Sequence, residues 1–286
     1  MAKIFLSADS TCDVSGRLLE RCKAELMPLH IVLDDKSYDD GVDIKPDDIY
    51  ENFAKTGRLP KTAAINTQEY IDRFKPLVEE GYDIIHINLG SAISSSYQNC
   101  VTASKSKELD GHVYPINSCN LSSGSGHLVI EAAKRIEKGL SAAEISEEIK
   151  ALVPKCHSSF IIDKLDYLRA GGRCSTLAML GANLLKLKPC IEVDNKDGSM
   201  TVGKKYRGRL ETVLVQYVHE QLERYENIRN DKIFITHAGI GDEYVEIVRN
   251  ELEKLHYFTE IFIERASCTI SSHCGSGTLG ILFMTE

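Results

Sequence analysis

At 286 residues, with 43% apolar and 27% charged side chains, the chain has the composition of a soluble globular protein and the length for two ordinary domains. A formal net charge of −8 argues against a nucleic-acid surface built on bulk positive charge, and no apolar run approaches the roughly 20 residues of a membrane helix. Nine cysteines without a Cys-x-x-Cys pair suit reduced thiols better than a disulfide frame or a zinc site, and with no leader-like progression a cytoplasmic location is expected.

In chain order, Lys3 to Asp9 reads as a strand, Ser10 to Ser15 as a turn-and-cap cluster and Gly16 to Lys23 as a helix, which places Asp9, Ser10, Thr11 and Asp13 at a strand's carboxyl end. Met27 to Leu33 is expected as one strand, followed by a polar excursion from Asp34 to Gly41. Its Asp39, Asp40 and Asp43 lack the alternate oxygen ligands and closing Glu of a calcium loop, so no metal is expected. Helices follow at Lys45 to Lys55, with Pro46 in the first turn, and at Thr67 to Glu80. Between them Leu59 to Asn66 reads as a loop, which makes Thr62 a loop hydroxyl.

Asp83 to Leu89 is a short apolar strand that runs into Ser91, Ser94, Ser95 and Ser96 and then a helix from Ser94 to Glu108. In an α/β sheet such a strand end faces the ligand crevice, and amides at a helix start favour a carboxylate or phosphate. Ser94 also suits the N-cap position, a role compatible with ligand contact. A strand at His112 to Asn117, a small polar loop from Ser118 to Gly126 and a helix at His127 to Lys138 repeat the pattern. Three repeats of strand, polar loop and helix argue for a parallel sheet with its loops on one edge.

A capped helix from Leu140 stops near Pro154, where the domain boundary is expected, giving domains 1–155 and 156–286. The second half reads as a strand (Ser158 to Asp163), a short helix (Leu165 to Ala170), a Gly171-Gly-Arg173 turn and a helical run past Leu180. Strands at Lys188 to Asp194 and Ser199 to Lys205, joined by Asn195-Lys-Asp-Gly198, form a hairpin signal. A helix (Arg209 to Tyr225), a strand (Lys232 to His237), a helix (Asp242 to Leu255) and two closing strands complete a mixed domain with antiparallel strands.

Gly275-Ser-Gly-Thr-Leu-Gly280 matches the dinucleotide fingerprint as a string, but only six residues follow it and no helix can begin there. Neither a Walker-type phosphate loop nor a Gly-x-Ser-x-Gly nucleophile elbow occurs. His273 lies among small residues in an expected loop ahead of a strand, where its ring can donate to an oxyanion. Arg173, Arg207 and Arg209 stand beside glycines, where a guanidinium can pair with carboxylate or phosphate or simply be solvated.

These residues together resemble the DegV family, the fatty-acid-binding FakB-type proteins of bacteria. Ala8-Asp-Ser-Thr-Cys-Asp13, Pro60-Lys-Thr62, Gly90-Ser-Ala-Ile-Ser-Ser-Ser-Tyr-Gln98, Asn117-Ser-x-x-x-Ser-x-Gly-x-Gly126, Tyr167-Leu-Arg-Ala-Gly-Gly-Arg173, Lys188-Pro189, Arg207-Gly-Arg209 and His273-Cys-Gly-Ser-Gly277 are similar to the family's motifs and follow in its order. The resemblance implies an α/β protein of two domains, an N-terminal parallel-sheet, Rossmann-like domain and a C-terminal α/β domain with antiparallel strands. It further implies a long-chain fatty acid in an apolar tunnel, its carboxylate held by Thr62, Ser94 and His273 with Ser91 nearby, and no cofactor.

By the same resemblance a FakA-type ATP-binding kinase subunit docks on the protein and phosphorylates the bound carboxylate to an acyl phosphate. Arg173, and Arg207 or Arg209, match arginines associated with that step or with docking. The chain departs from the family where Ala63 and Ala64 follow Thr62 in place of Ser-Gln, Ala92 and Ser95 replace two glycines, and Asn117 replaces an aspartate. Two other functions use the same residues. One is a hydrolase with Ser94 as nucleophile, His273 as base and Asp9 or Asp13 as orienter; the other is a small-molecule sensor.

Overall fold

The computed structural model describes residues 3–174 and 187–286. Its first half runs β1 (Lys3–Asp9), α1 (Gly16–Cys22), β2 (Ala24–Met27), β3 (His30–Leu33), β4 (Lys36–Asp39), α2 (Pro46–Thr56), β5 (Lys61–Ala63), α3 (Thr67–Glu79), β6 (Tyr82–Asn88), α4 (Ser96–Ser104), β7 (Val113–Asn117), α5 (Ser122–Glu137) and α6 (Ala142–Leu152). The order β2-β1-β6-β7 forms an all-parallel sheet, as expected. The chain leaves β1 for β2 on one side and pairs it with β6 on the other, so the topological switch point lies between the ends of β1 and β6.

The expected single strand from Met27 to Leu33 is two strands in different sheets. Pro28 separates them: it lacks the N–H a continuing ladder needs. β3 turns at once into β4 through Asp34 and Asp35, at φ 47° and 62°, a two-residue hairpin turn hidden in what reads as a polar excursion. β5 adds to the other edge of β3, giving the antiparallel order β4-β3-β5. Thr62 is therefore a strand residue, paired with Ile31, where a loop was expected.

The second half supplies β8 (Cys156–Ile161), α7 (Asp166–Gly171), β9 (Leu187–Val193), β10 (Met200–Arg207), α8 (Leu210–Glu223), β11 (Lys232–His237), α9 (Asp242–Lys254), β12 (Glu260–Arg265), α10 (Cys268–Cys274) and β13 (Leu279–Met284). They form a six-stranded sheet, β10-β9-β8-β13-β11-β12, antiparallel except for β11 with β12. The expected hairpin is β9–β10. The helical run expected past Leu180 falls largely outside the described residues.

Helix α5 packs against strands of both large sheets, including β1 and β6 on one side and β8, β11 and β13 on the other. Residues 122–133 are buried around its whole circumference, which a helix tolerates only between two layers. Its first turns are Ser-Ser-Gly-Ser-Gly because the neighbours come so close: a Cβ on Gly124 would lie 2.2 Å from Asn120 Oδ1 and 2.3 Å from Ser158 Oγ. The family-like string from Asn117 to Gly126 is thus largely a close-packing device. Toward its other end Glu131, nearly buried, accepts from Lys232 at 3.1 Å and Arg229 at 3.2 Å, a paired charge that ties α5 to the second half.

Candidate functional site

A cavity of about 240 Å³ opens beside the loop that follows β6 and is closed from the other side by α10. Leu29, Leu89, Ile93, Leu121, Met200 and Ile270 form most of its wall, drawn from both halves. Thr62, Ser94, Ser95, Thr269 and His273 supply its polar lining, with Arg173 also among the lining residues. Ala63 and Ala64 line it too, so the departure from the family's Ser-Gln makes this wall more apolar.

His273 is on the last turn of α10, not in a loop. Ser267 caps that helix by accepting from Ile270 N at 3.4 Å, and the chain leaves it through Gly275. The helix aims the imidazole at β5, and His273 Nε2 lies 2.8 Å from Thr62 Oγ1 across 211 residues of sequence. In the Nε2–H tautomer the ring donates to Thr62 and leaves the Thr62 hydroxyl hydrogen free for an incoming oxyanion. Burial, and secondarily the Arg173 guanidinium, lower the imidazole pKa to about 4, so the ring is neutral at pH 7.

Among the described residues His273 Nδ1 has no hydrogen-bond partner, although it is buried. The backbone of α7 lies against it: a Cβ on Gly171 would sit 2.3 Å from Nδ1. Cys274, next in sequence, also lines the cavity, but burial pushes its thiol to about 12 and denies it a nucleophilic thiolate.

Ser94 both caps a helix and lines the cavity. Its Oγ accepts from Ser96 N at 3.2 Å, capping the start of α4 one residue ahead of the N-cap Ser95, and it lines the cavity. Neither Ala92 nor Ser95 stands at positive φ, so the loss of two family glycines leaves this loop unstrained.

Ser91 does not join the cavity. It is exposed, with its Oγ accepting from Asn117 Nδ2 at 2.8 Å while Asn117 Oδ1 accepts from Ser91 N at 3.1 Å. Arg173 is exposed within the cavity lining and donates to Gly171 O at 2.6 Å. Arg207 and Arg209 are exposed and outside the lining, and Arg209 pairs with Glu211 at 3.0 Å. Thr269 and Met200 escaped the sequence reading; for Thr269 the signal is its position four residues before His273, visible only once the segment is known to be helical.

The hydrolase arrangement does not assemble. Asp9, at the end of β1, accepts from Leu89 N at 2.7 Å and Tyr70 Oη at 3.1 Å and lies 3.0 Å from His86 Nε2. Ser7, His86 and Asp9 do form a Ser-His-Asp row, yet all three are buried and none reaches the cavity. Asp13 accepts from Ser122 Oγ and Ser267 N, and no carboxylate orients His273. Among the described residues no group of side chains is arranged to hold a metal ion, and no helix is long and apolar enough to cross a membrane.

A neutral imidazole, two hydroxyls and a cationic rim over an apolar cavity match a small amphiphile with an anionic head. The family model for DegV, described as an uncharacterised protein family, matches residues 3–286. The chain belongs to the DegV family. A DegV domain-containing protein of Clostridium acetobutylicum is 31% identical over 287 residues, covering all of both chains. A DegV-family protein of Thermus thermophilus, described by its fatty-acid binding, superposes with a TM-score of 0.90 at 23% identity over 99% of this chain and 100% of its own. DegV of Bacillus subtilis, described as a fatty acid binding protein, gives 0.84 at 25% identity over the whole of both chains. Solved DegV-family relatives thus bind fatty acids, and the α/β architecture with a parallel and a largely antiparallel sheet is shared with them.

Proposed function

We propose that this DegV-family protein holds a long-chain fatty acid without covalent chemistry, gripping its carboxylate through Thr62, Ser94 and His273 and burying its tail against the apolar wall. The observation that carries the reading is the Thr62–His273 pair, 2.8 Å apart in the lining of a cavity walled largely by apolar side chains, with no acid behind the imidazole among the described residues. A buried carboxylate without hydrogen bonds costs several kcal/mol, and two hydroxyls supported by a ring N–H supply them. Burying about ten methylenes at roughly 0.8 kcal/mol each contributes about 8 kcal/mol, which offsets much of the cost of association and works together with the carboxylate's hydrogen bonds.

The protein acts as a substrate carrier for a FakA-type ATP-binding kinase subunit: a carboxylate oxygen attacks the γ-phosphorus of ATP, ADP leaves, and an acyl phosphate forms. Arg173, a cation at the cavity with its Nη1 held by Gly171 O, suits the developing phosphate charge. The exposed Arg207 and Arg209 serve as docking contacts in this scheme.

The test is mass spectrometry of lipid extracted from recombinant protein, followed by palmitate titration of the delipidated chain. Ser94→Ala and His273→Ala should each weaken palmitate by about tenfold, while Ser91→Ala leaves it unchanged. A protein that carries no fatty acid and takes up none, or one indifferent to both site substitutions, would refute the reading. Acyl phosphate formed with the kinase subunit and ATP, and absent without either, tests the carrier step.

A further inference from the structure

Helix α10 has only seven residues, Cys-Thr-Ile-Ser-Ser-His-Cys, with little helix propensity, and a helix this short is not stable by itself. What it has is a complete set of partners for its free amides. Ser267 N donates to Asp13 Oδ1 at 2.8 Å, Cys268 N to Asp40 Oδ1 at 2.7 Å and Thr269 N to Asp40 Oδ2 at 3.0 Å. Ile270 N turns back to Ser267 Oγ. Both carboxylates come from the first half of the chain, more than 200 residues away, and both are buried.

Each acid is itself held. Ser122 Oγ donates to Asp13 Oδ2 at 2.5 Å, and Ser10 Oγ donates to Asp40 Oδ2 at 3.2 Å. Ser10 Oγ in turn accepts from the amide of Leu29, a cavity-wall residue. Negative charge at a helix N-terminus is favoured by the aligned peptide dipoles as well as by the direct bonds. Neither aspartate touches the cavity, yet the helix they start carries Thr269, Ile270 and His273 into it.

We propose that Asp13 and Asp40 are positioning residues for His273: by capping α10 from the opposite half of the molecule they hold the imidazole against Thr62 in the cavity lining. This gives the Asp-Ser-Thr-Cys-Asp13 string and Asp40, the residue after β4, a shared task that the ligand grip does not use. The two acids differ in how replaceable they are. Asp13 takes one backbone N–H on one oxygen and a rotatable hydroxyl on the other, a pattern an amide can reproduce with the Ser122 bond reversed. Asp40 takes three donors, and an amide offers a single acceptor oxygen.

The ligand arm of the test rests on the fatty-acid reading; the ring arm does not. Both use the full chain, with the His273 imidazole followed by NMR through a pH titration and palmitate affinity measured alongside. Asp40→Ala and Asp13→Ala should raise the His273 titration midpoint toward the ordinary imidazole value and weaken palmitate by about tenfold. Asp13→Asn should restore wild-type behaviour on both readouts, and Asp40→Asn should not. Val245→Ala, on the buried face of α9, provides a variant that loses stability without touching α10. If an alanine variant does not fold, the asparagine pair still decides. The proposal is overturned if His273 titrates as in wild type in the Asp40 variants, or if Val245→Ala shifts it equally. Absence of palmitate binding by the wild type would sink the proposed function and leave the ring measurement to judge the clamp.

Discussion

Replacing Gly171 with alanine tests how the site holds its imidazole. A Cβ there would lie 2.3 Å from His273 Nδ1 and 3.1 Å from Cγ, against an ordinary contact near 3.5 Å, so the ring must retreat by about 1 Å. The push enters at Nδ1 while Thr62 stands beyond Nε2, so the ring cannot back away along its own plane without colliding with Thr62 and must turn out of the 2.8 Å bond. The lost bond is worth about 1 kcal/mol and the overpacking about 1–3 kcal/mol. Opposing this, Gly171 is the last residue of α7, where alanine gains up to about 1 kcal/mol in helix propensity. The net expectation is a loss of about 1–3 kcal/mol in stability and a roughly tenfold loss in palmitate affinity. Gly172→Ala is the control: it stands at φ 65° with nothing among the described residues within 4 Å of an added Cβ, so it costs about 1–2 kcal/mol in backbone strain without touching the ring. Denaturant unfolding, palmitate titration and the His273 ring nitrogen shifts separate the two. Palmitate bound equally well by wild type and Gly171→Ala, or equally badly by both variants, would refute the steric argument.

Acid should also reveal the buried imidazole. Because its pKa is lowered to about 4 in the fold, the unfolded chain takes up that proton first as pH falls, and stability is lost between about pH 6.5 and pH 4. Down to about pH 5 the loss is about 2 kcal/mol. Asp13, raised to about 7 by burial, works the other way and gains stability as pH falls through 7, so the comparison must be between wild type and His273→Gln. Their unfolding free energies should converge or cross on acidification, and parallel curves would refute the assignment. Gly124→Ala, which drives a methyl onto Asn120 Oδ1 and Ser158 Oγ, should cost at least about 2 kcal/mol in a denaturant titration, and an unchanged midpoint would show that α5 can shift between its sheets.

Most of the architecture was legible because its signals are local. The strand from Lys232 to His237 was expected and found with the same limits, and the Asn195-Lys-Asp-Gly198 turn announced its hairpin. The repeats of strand, loop and helix gave the parallel sheet. What failed were segments whose conformation is imposed from outside. The stretch from Met27 to Leu33 is apolar but for His30, and only the pairing of β3 with β4 and β5 shows that Pro28 divides it. The segment around His273 is rich in small residues and reads as a loop; it is helical because Asp40, Asp13 and Ser267 satisfy its first amides.

The same distinction explains the site. Ser94 could be placed from sequence because a strand end, a hydroxyl and a helix start lie within one short stretch, and the structure puts it in the cavity. Ser91, drawn from the same stretch, is turned away by a contact with Asn117 that sequence spacing does not contain. The Thr62–His273 pair depends on two arrangements at once, the register that sets Thr62 opposite Ile31 and the cross-chain caps that make α10 a helix. Neither is written in the neighbourhood of either residue. Resemblance to a family supplied the pair as an expectation, but the reason the imidazole faces a hydroxyl and not an acid lies in packing: Gly171 occupies the side of the ring where an orienting carboxylate would have to stand. A ring held neutral with no acid behind it is poorly suited to take a proton from a serine and well suited to support a hydroxyl that donates to a carboxylate, which is the chemical difference between a hydrolase and a carrier.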